Sequence, residues 1–283
     1  MEDLIVLPEP PSLPREFARA LLTRGRAGAR GEIPQTRIQS TVRPDRDHLI
    51  AYQRLCGYRV DDFLPHTYPH VAAFGLQVHL MADADFPLPM LGMVHIANAT
   101  TAHRPISADA ELTVSVHAEG LAPHPKGVTV DLVAEATVDG ETAWSSRSTY
   151  LHRTSGQSDA PVAAIPDAPA GPPTALWRLS GDLGRRYAAV AGDVNPIHLH
   201  PWTAKALGFP RAIAHGMWTY ARTAAAMGVQ GAESTQVWFR KPVLLPSKVA
   251  LRESSDGRVV ALTAAKDADT VHLVMTRSAT ADA

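Results

Sequence analysis

The sequence predicts an α+β fold made of two similar units on one chain. Two observations carry this. Each half holds an apolar, small-residue helix candidate followed by a run of strand-like segments, and a Pro- and Ala-rich segment separates the halves. One buried helix followed by antiparallel strands is an α+β layout. A sheet curling around that helix would bury it on nearly all sides. Two such units could pair through their sheets as a built-in dimer.

The elements follow in order. Residues 1–35 form a proline-bearing arm, expected to pack on the first half. The helix candidate from Pro69 to Met81 is apolar on most faces, as a helix buried against a sheet should be. Strands are predicted over 93–102, 110–119, 127–138 and 141–152. Within them 128–136 alternates apolar and polar, and Gly140 reads as a turn. From Thr154 to Thr174 the chain reads TSGQSDAPVAAIPDAPAGPPT, with no aromatic residue, which is a semi-extended linker signature. It divides the chain into units of 1–153 and 175–283, joined by 154–174.

In the second unit the helix candidate runs from His215 to Met227, with Gly228 as its stop. Strands are predicted over 235–240, 248–253, 258–266 and 270–277, with Asp256-Gly257 as a hairpin turn. Arg104-Pro105-Ile106 and Lys241-Pro242-Val243 each end the first strand after the helix. Such triplets occur by chance, but the shared order of helix and strands favours duplication.

Composition excludes several function classes. The 283 residues carry a formal charge of −1, which provides no electrostatic footprint for nucleic acid, and no basic run addresses a membrane surface. No apolar run approaches the ~20 residues that cross a bilayer, and the N-terminus lacks a signal peptide's features. The single cysteine, Cys56, permits no internal disulfide and fits a reducing compartment, so a soluble cytoplasmic protein is expected. Cys56 matches no catalytic signature and reads as core. Neither a P-loop nor a GxGxxG is present, so no nucleotide cofactor is indicated.

The segment Ala191-Gly192-Asp193-Val194-Asn195-Pro196-Ile197-His198 carries the chemistry. Gly192 permits a tight turn, and Pro196 keeps helix out of Asn195, so Asp193 and His198 share a loop. A carboxylate and an imidazole facing each other across one water can act as acid and base. Asn195 would fix the water or the loop. The plainer alternative is that Asp193 and Asn195 make Asx-type turns and His198 lies on the surface. Gly216, at a helix start, leaves its N–H open to a carbonyl oxygen on which charge develops. Alternatively Gly216 serves close helix packing and His215 is an ordinary cap. A metal site on His198, His200 and His215 lacks a fourth ligand or a zincin-type spacing, and none is expected.

Read together, residues 187–198, Ala206-Leu207-Gly208-Phe209 and Ile213-Ala214-His215-Gly216-Met217 resemble the hydratase signature of the MaoC-like family. These are the R-specific enoyl-CoA hydratases and (3R)-hydroxyacyl-thioester dehydratases. The resemblance implies a double hot dog, two curved antiparallel sheets each wrapped on a central helix and packed as a pseudo-dimer. The N-terminal unit, which contains no D-x-N-x-x-H, would have lost the motif and help bind the acyl chain.

The resemblance also implies roles. Asp193 and His198 would activate water, Asn195 would support the loop, and the Gly216 N–H would polarise the thioester carbonyl. No cofactor is implied beyond the coenzyme A or acyl carrier protein that bears the substrate, and a further homodimer is left open. Arg104, Arg240 and Lys241 could meet a phosphopantetheine phosphate or be scattered surface cations. An acyl-thioesterase and a non-catalytic acyl-binding subunit are the competing readings. Two positions depart from the family. Ala191 replaces Ser or Thr, removing a loop hydrogen bond worth ~1 kcal/mol. His200 replaces an acid expected to cap the helix near Pro201, also ~1 kcal/mol.

Overall fold

The computed structural model describes residues 3–23, 31–154 and 159–280. The first half runs β1 (Asp3–Leu7), α1 (Leu13–Thr23), β2 (Thr36–Val42), α2 (Arg46–Cys56), α3 (Tyr68–Met81), β3 (Val94–Ala102), β4 (Leu112–His124), β5 (Gly127–Val138) and β6 (Glu141–Arg153). The second runs β7 (Ala175–Leu179), α4 (Leu183–Ala191), α5 (Pro196–Leu199), α6 (Pro201–Ala206), α7 (Gly216–Ala226), β8 (Glu233–Phe239), β9 (Ser247–Glu253), β10 (Val259–Ala264) and β11 (Asp267–Ala279).

All eleven strands form one sheet, in the order β1-β2-β4-β5-β6-β3-β8-β11-β10-β9-β7. The halves meet where β3 pairs antiparallel with β8, Asn98 opposite Val237 and Thr100 opposite Thr235. Outward from this seam each half repeats one pattern: β6, β5, β4, β2 on one side and β11, β10, β9, β7 on the other. The internal pseudo-dimer is therefore a continuous sheet rather than two sheets in face contact. This is the double hot dog, with α3 and α7 as its central helices.

The same backbone contact recurs in both halves. Leu64 N–H donates to Ile106 O and Ala214 N–H donates to Val243 O, each at 2.9 Å. Phe63 bridges Ser107 as Ile213 bridges Leu244. The two basic-Pro-aliphatic triplets thus occupy equivalent positions.

Burial explains the helices. In α3, Ala73, Leu76, Val78 and Leu80 are buried among Val114, Val116, Leu132 and Trp144 of the sheet. In α7, Tyr220, Ala221 and Ala224 are buried beside Val260, Leu262 and Met275. Helix α2 joins this second core, and Tyr52 meets Tyr187 of α4 with ring centroids 6.3 Å apart.

Several elements were not predicted. Strands β2 and β7 are short and lie beside Pro-rich stretches, and β1 exists only by parallel pairing with β2. Helix α2 is capped by Asp45, whose side chain accepts from the His48 N–H, and ends at Gly57. Strand β4 continues past the predicted end at 119 because a bulge with Gly120 at φ 66° absorbs the irregularity. Asp139 and Gly140, at φ 55° and 84°, form the turn between β5 and β6.

The arm holds α1 on α3, where His79 Nδ1 lies 3.0 Å from Glu16 Oε1. It also reaches the second half, as described below. Within the linker, residues 155–158 lie outside the described residues. Its end is tied to β9, the Thr174 N–H donating to Leu251 O at 2.8 Å.

Candidate active site

Helix α4 delivers Asp193. The helix ends at Gly192, whose φ of 72° suits glycine and whose N–H donates to Ala188 O at 2.9 Å. A Cβ on Gly192 would lie 2.2 Å from Leu13 Cδ1, so the arm packs directly against the turn that aims Asp193. The Asn195 N–H donates to Asp193 Oδ1 at 3.1 Å. The Asn195 side chain caps α5, accepting from the Ile197 N–H at 3.4 Å, and Pro196 follows at the first helical position. Both Asx-type bonds exist. They hold a loop whose histidine is buried rather than on the surface.

His198 is 8% exposed, and its Nδ1 donates to Ile213 O at 2.9 Å. A carbonyl can only accept, so Nδ1 carries the proton and Nε2 keeps its lone pair. Burial lowers the pKa of His198, against the opposing pull of Asp193 and the Ile213 carbonyl, so the ring is a neutral base at neutral pH. Gly184 makes this placement possible: a Cβ there would lie 1.9 Å from His198 O.

His215 is not an ordinary cap. It stands at the N-cap of α7 but makes no side-chain cap bond. Its Nε2 donates instead to Asp193 O at 2.9 Å, and its ring stacks on His198 at 3.7 Å between centroids. Asp193 Oδ2 lies 3.8 Å from the same nitrogen. Burial and the neighbouring His198 lower the His215 pKa to about 3, so this approach is not an ion pair at neutral pH.

Gly216 opens α7, where first-turn N–H groups have no intrahelical partner. A Cβ at Gly216 would come within 3.2 Å of the Phe239 ring, so the start of α7 packs closely against β8 at this glycine.

The first half contributes to the same place. His70 of α3 and Tyr150 of β6 lie near enough for the charge of Asp193 to act on them. His95 of β3 stacks on Tyr150 at 4.6 Å and packs against Phe239 at 5.1 Å. Nothing in the local sequence marked His70, His95, Tyr150 or Gly184. His215 adjoined the predicted Gly216 donor, yet its bond to Asp193 could not be read from spacing.

In the first half, Gly57 ends α2 at φ 78° as Gly192 ends α4, and Tyr58 stands where Asp193 stands. The Tyr58 hydroxyl is tied to Thr67 Oγ1 at 3.0 Å. The chain then passes directly to Phe63, with no counterpart of α5 and α6.

Asp193, His198 and His215 each offer one ligand atom within 4.8 Å of the others, a spacing that could hold a metal ion. His200 does not join them. It is exposed, and its Nδ1 accepts from the Trp202 N–H at 3.2 Å, capping α6. The expected loss of that cap is therefore corrected: imidazole supplies the acceptor. Ala191 is buried at the end of α4. Arg104 is turned inward to Val138 O at 3.0 Å, whereas Arg240 and Lys241 are exposed just beyond Phe239.

Residues 173–275 match the MaoC like domain family. The chain is 37% identical over 243 residues to 3-hydroxyacyl-thioester dehydratase X of Mycobacterium tuberculosis, covering 81% of this chain and 86% of that protein. The crystal structure of HtdX from the same organism superposes with a TM-score of 0.75 at 35% identity, over 85% of this chain and 99% of that one. An acyl-ACP thioesterase from Bacteroides thetaiotaomicron VPI-5482 shares the fold alone, at a TM-score of 0.55 and 10% identity over 86% of this chain and 98% of that one.

Proposed function

This chain belongs to the MaoC-like dehydratases, and from that premise we propose that it reversibly hydrates trans-2-enoyl thioesters to (3R)-3-hydroxyacyl thioesters. One observation carries the reading. Asp193 and His198 offer side-chain atoms within 4.8 Å of each other, a gap that one water can bridge with ordinary hydrogen bonds, and Gly216 starts the helix next to His215 of the same cluster.

In the hydration direction, the thioester carbonyl accepts from Gly216 N–H. The water held by Asp193 and His198 loses a proton to one of them as its oxygen bonds to C3. The C2–C3 π electrons move toward the carbonyl, where the Gly216 donor stabilises the enolate-like charge. A proton then returns to C2. Dehydration runs the same steps backwards. Water is the co-reactant, so no metal or organic cofactor is required. Coenzyme A or an acyl carrier protein bears the acyl group. We take Arg240 and Lys241, exposed just beyond Phe239, as the cations that would meet its phosphate.

Loss of the enoyl absorbance on hydration of crotonyl and longer enoyl thioesters tests this. Asp193→Asn and His198→Ala should each lower kcat by about 10²–10⁴-fold with the fold retained. Wild-type rates in either variant would defeat the assignment. Free thiol release from acyl-CoA would favour a thioesterase, and binding without turnover would favour a non-catalytic subunit.

A further inference from the structure

We propose that the acyl chain carries a neutral hydroxyl group beyond the reacting carbons, and that His70 and His95 of the first half bind it. This deepens the thioester reading above and rests on it. Phe239 packs against Gly216, so its ring borders the place where a carbonyl at the Gly216 N–H would sit. Phe239 in turn packs against His95 at 5.1 Å, and the His95 and His70 rings lie 6.2 Å apart at an interplanar angle of 16°. Two imidazoles thus adjoin the ring that borders the reacting centre.

Those imidazoles are incompletely satisfied. His70 is 4% exposed and its Nδ1 is buried without a hydrogen-bond partner, as is Nε2 of His95. Buried polar atoms are almost always paired in native proteins, because leaving one unpaired forfeits its hydration. A wall meant for a plain hydrocarbon would be apolar, like the Leu76, Val114 and Leu132 side chains of the adjoining core.

The chemistry of the pair narrows the group. Burial drives the His70 pKa to about 4 and the His95 pKa to about 3, so both rings are uncharged. They offer no countercharge to a carboxylate, which would also face Asp193. A neutral imidazole presents one donor and one acceptor, and a hydroxyl supplies both.

The test compares wild-type enzyme on 2-enoyl-CoA thioesters bearing a hydroxyl at C5, C6 or C7 with counterparts bearing a methyl in its place. At least one hydroxylated chain should exceed its counterpart by about tenfold or more in kcat/KM, because a site built to pair a hydroxyl rejects the analogue lacking it. In His70→Phe and His95→Phe that ratio should fall toward one. Taking the ratio within each variant cancels any general loss of activity. Should a variant fail to fold, the wild-type ranking decides alone. Turnover of every methyl counterpart as fast as its hydroxylated partner overturns this inference and leaves the hydratase reading intact. Absence of turnover on every enoyl thioester overturns both.

Discussion

His198 and His215 stack face to face, their ring centroids 3.7 Å apart and their planes 28° from parallel. Each is held from behind by a carbonyl, His198 by Ile213 O and His215 by Asp193 O. One imidazole is therefore the base and the other the plate that fixes both the base and the backbone of the acid. His215→Ala should lower kcat by about 10²-fold, the usual cost of a misplacement near 1 Å, with little change in KM. A pH–rate profile distinguishes positioning from mere destabilisation. Removing the stack should shift the acid limb, whereas an unmoved profile with a lowered kcat would assign His215 a structural role only.

Gly184 predicts a second effect at a distance. It belongs to α4, yet its missing side chain is the space that His198 O occupies, since a Cβ there would lie 1.9 Å away. Backbone must move to admit even a methyl group. Gly184→Ala should cost about 10²-fold in kcat while the melting temperature changes modestly. Full activity in this variant would show that the α5 loop adjusts without moving His198.

Acid should destabilise the fold. Burial lowers His66 and His70 to about 4 and His95 and His215 to about 3, against an unfolded value of 6.5. Above pH 6.5 both states leave these rings neutral and no difference arises. Below it the unfolded chain takes up protons that the folded chain refuses, so stability falls as pH falls. Each ring contributes a loss of about 1.4 kcal/mol per pH unit until its folded pKa is reached. Urea unfolding measured from pH 7 to pH 4.5 should show a steadily falling midpoint. A flat midpoint would mean that these histidines are not buried neutral.

The spacing of Asp193, His198 and His215 would also suit a metal ion, so chelation is informative. If the trio holds water, dialysis against EDTA leaves kcat/KM unchanged, and added Zn²⁺ inhibits by taking the water's place. Activity lost on chelation and restored by a metal would recast the three as ligands.

Some of this was legible in the sequence, for reasons that are local. The apolar small-residue stretches Pro69–Met81 and His215–Met227 read as buried helices, and the alternation over 128–136 reads as a strand with one face on a core, as α3, α7 and β5 then show. Gly192 and Pro196 force a turn between a carboxylate and an imidazole whatever surrounds them. Other features depend on residues far apart in the chain, which no local pattern specifies. The pairing of β3 with β8 made one sheet of two units. Leu13 came to rest on Gly192, and His200 became a cap instead of a departure. The bond from His215 to Asp193 O depends on how α7 docks beside α4. The approach of His70 and Tyr150 to Asp193, and of His95 to Phe239, depends on the two halves sharing one sheet. Periodicity and turn chemistry thus determined the elements and the reactive loop, and packing between distant segments decided which groups that loop would meet.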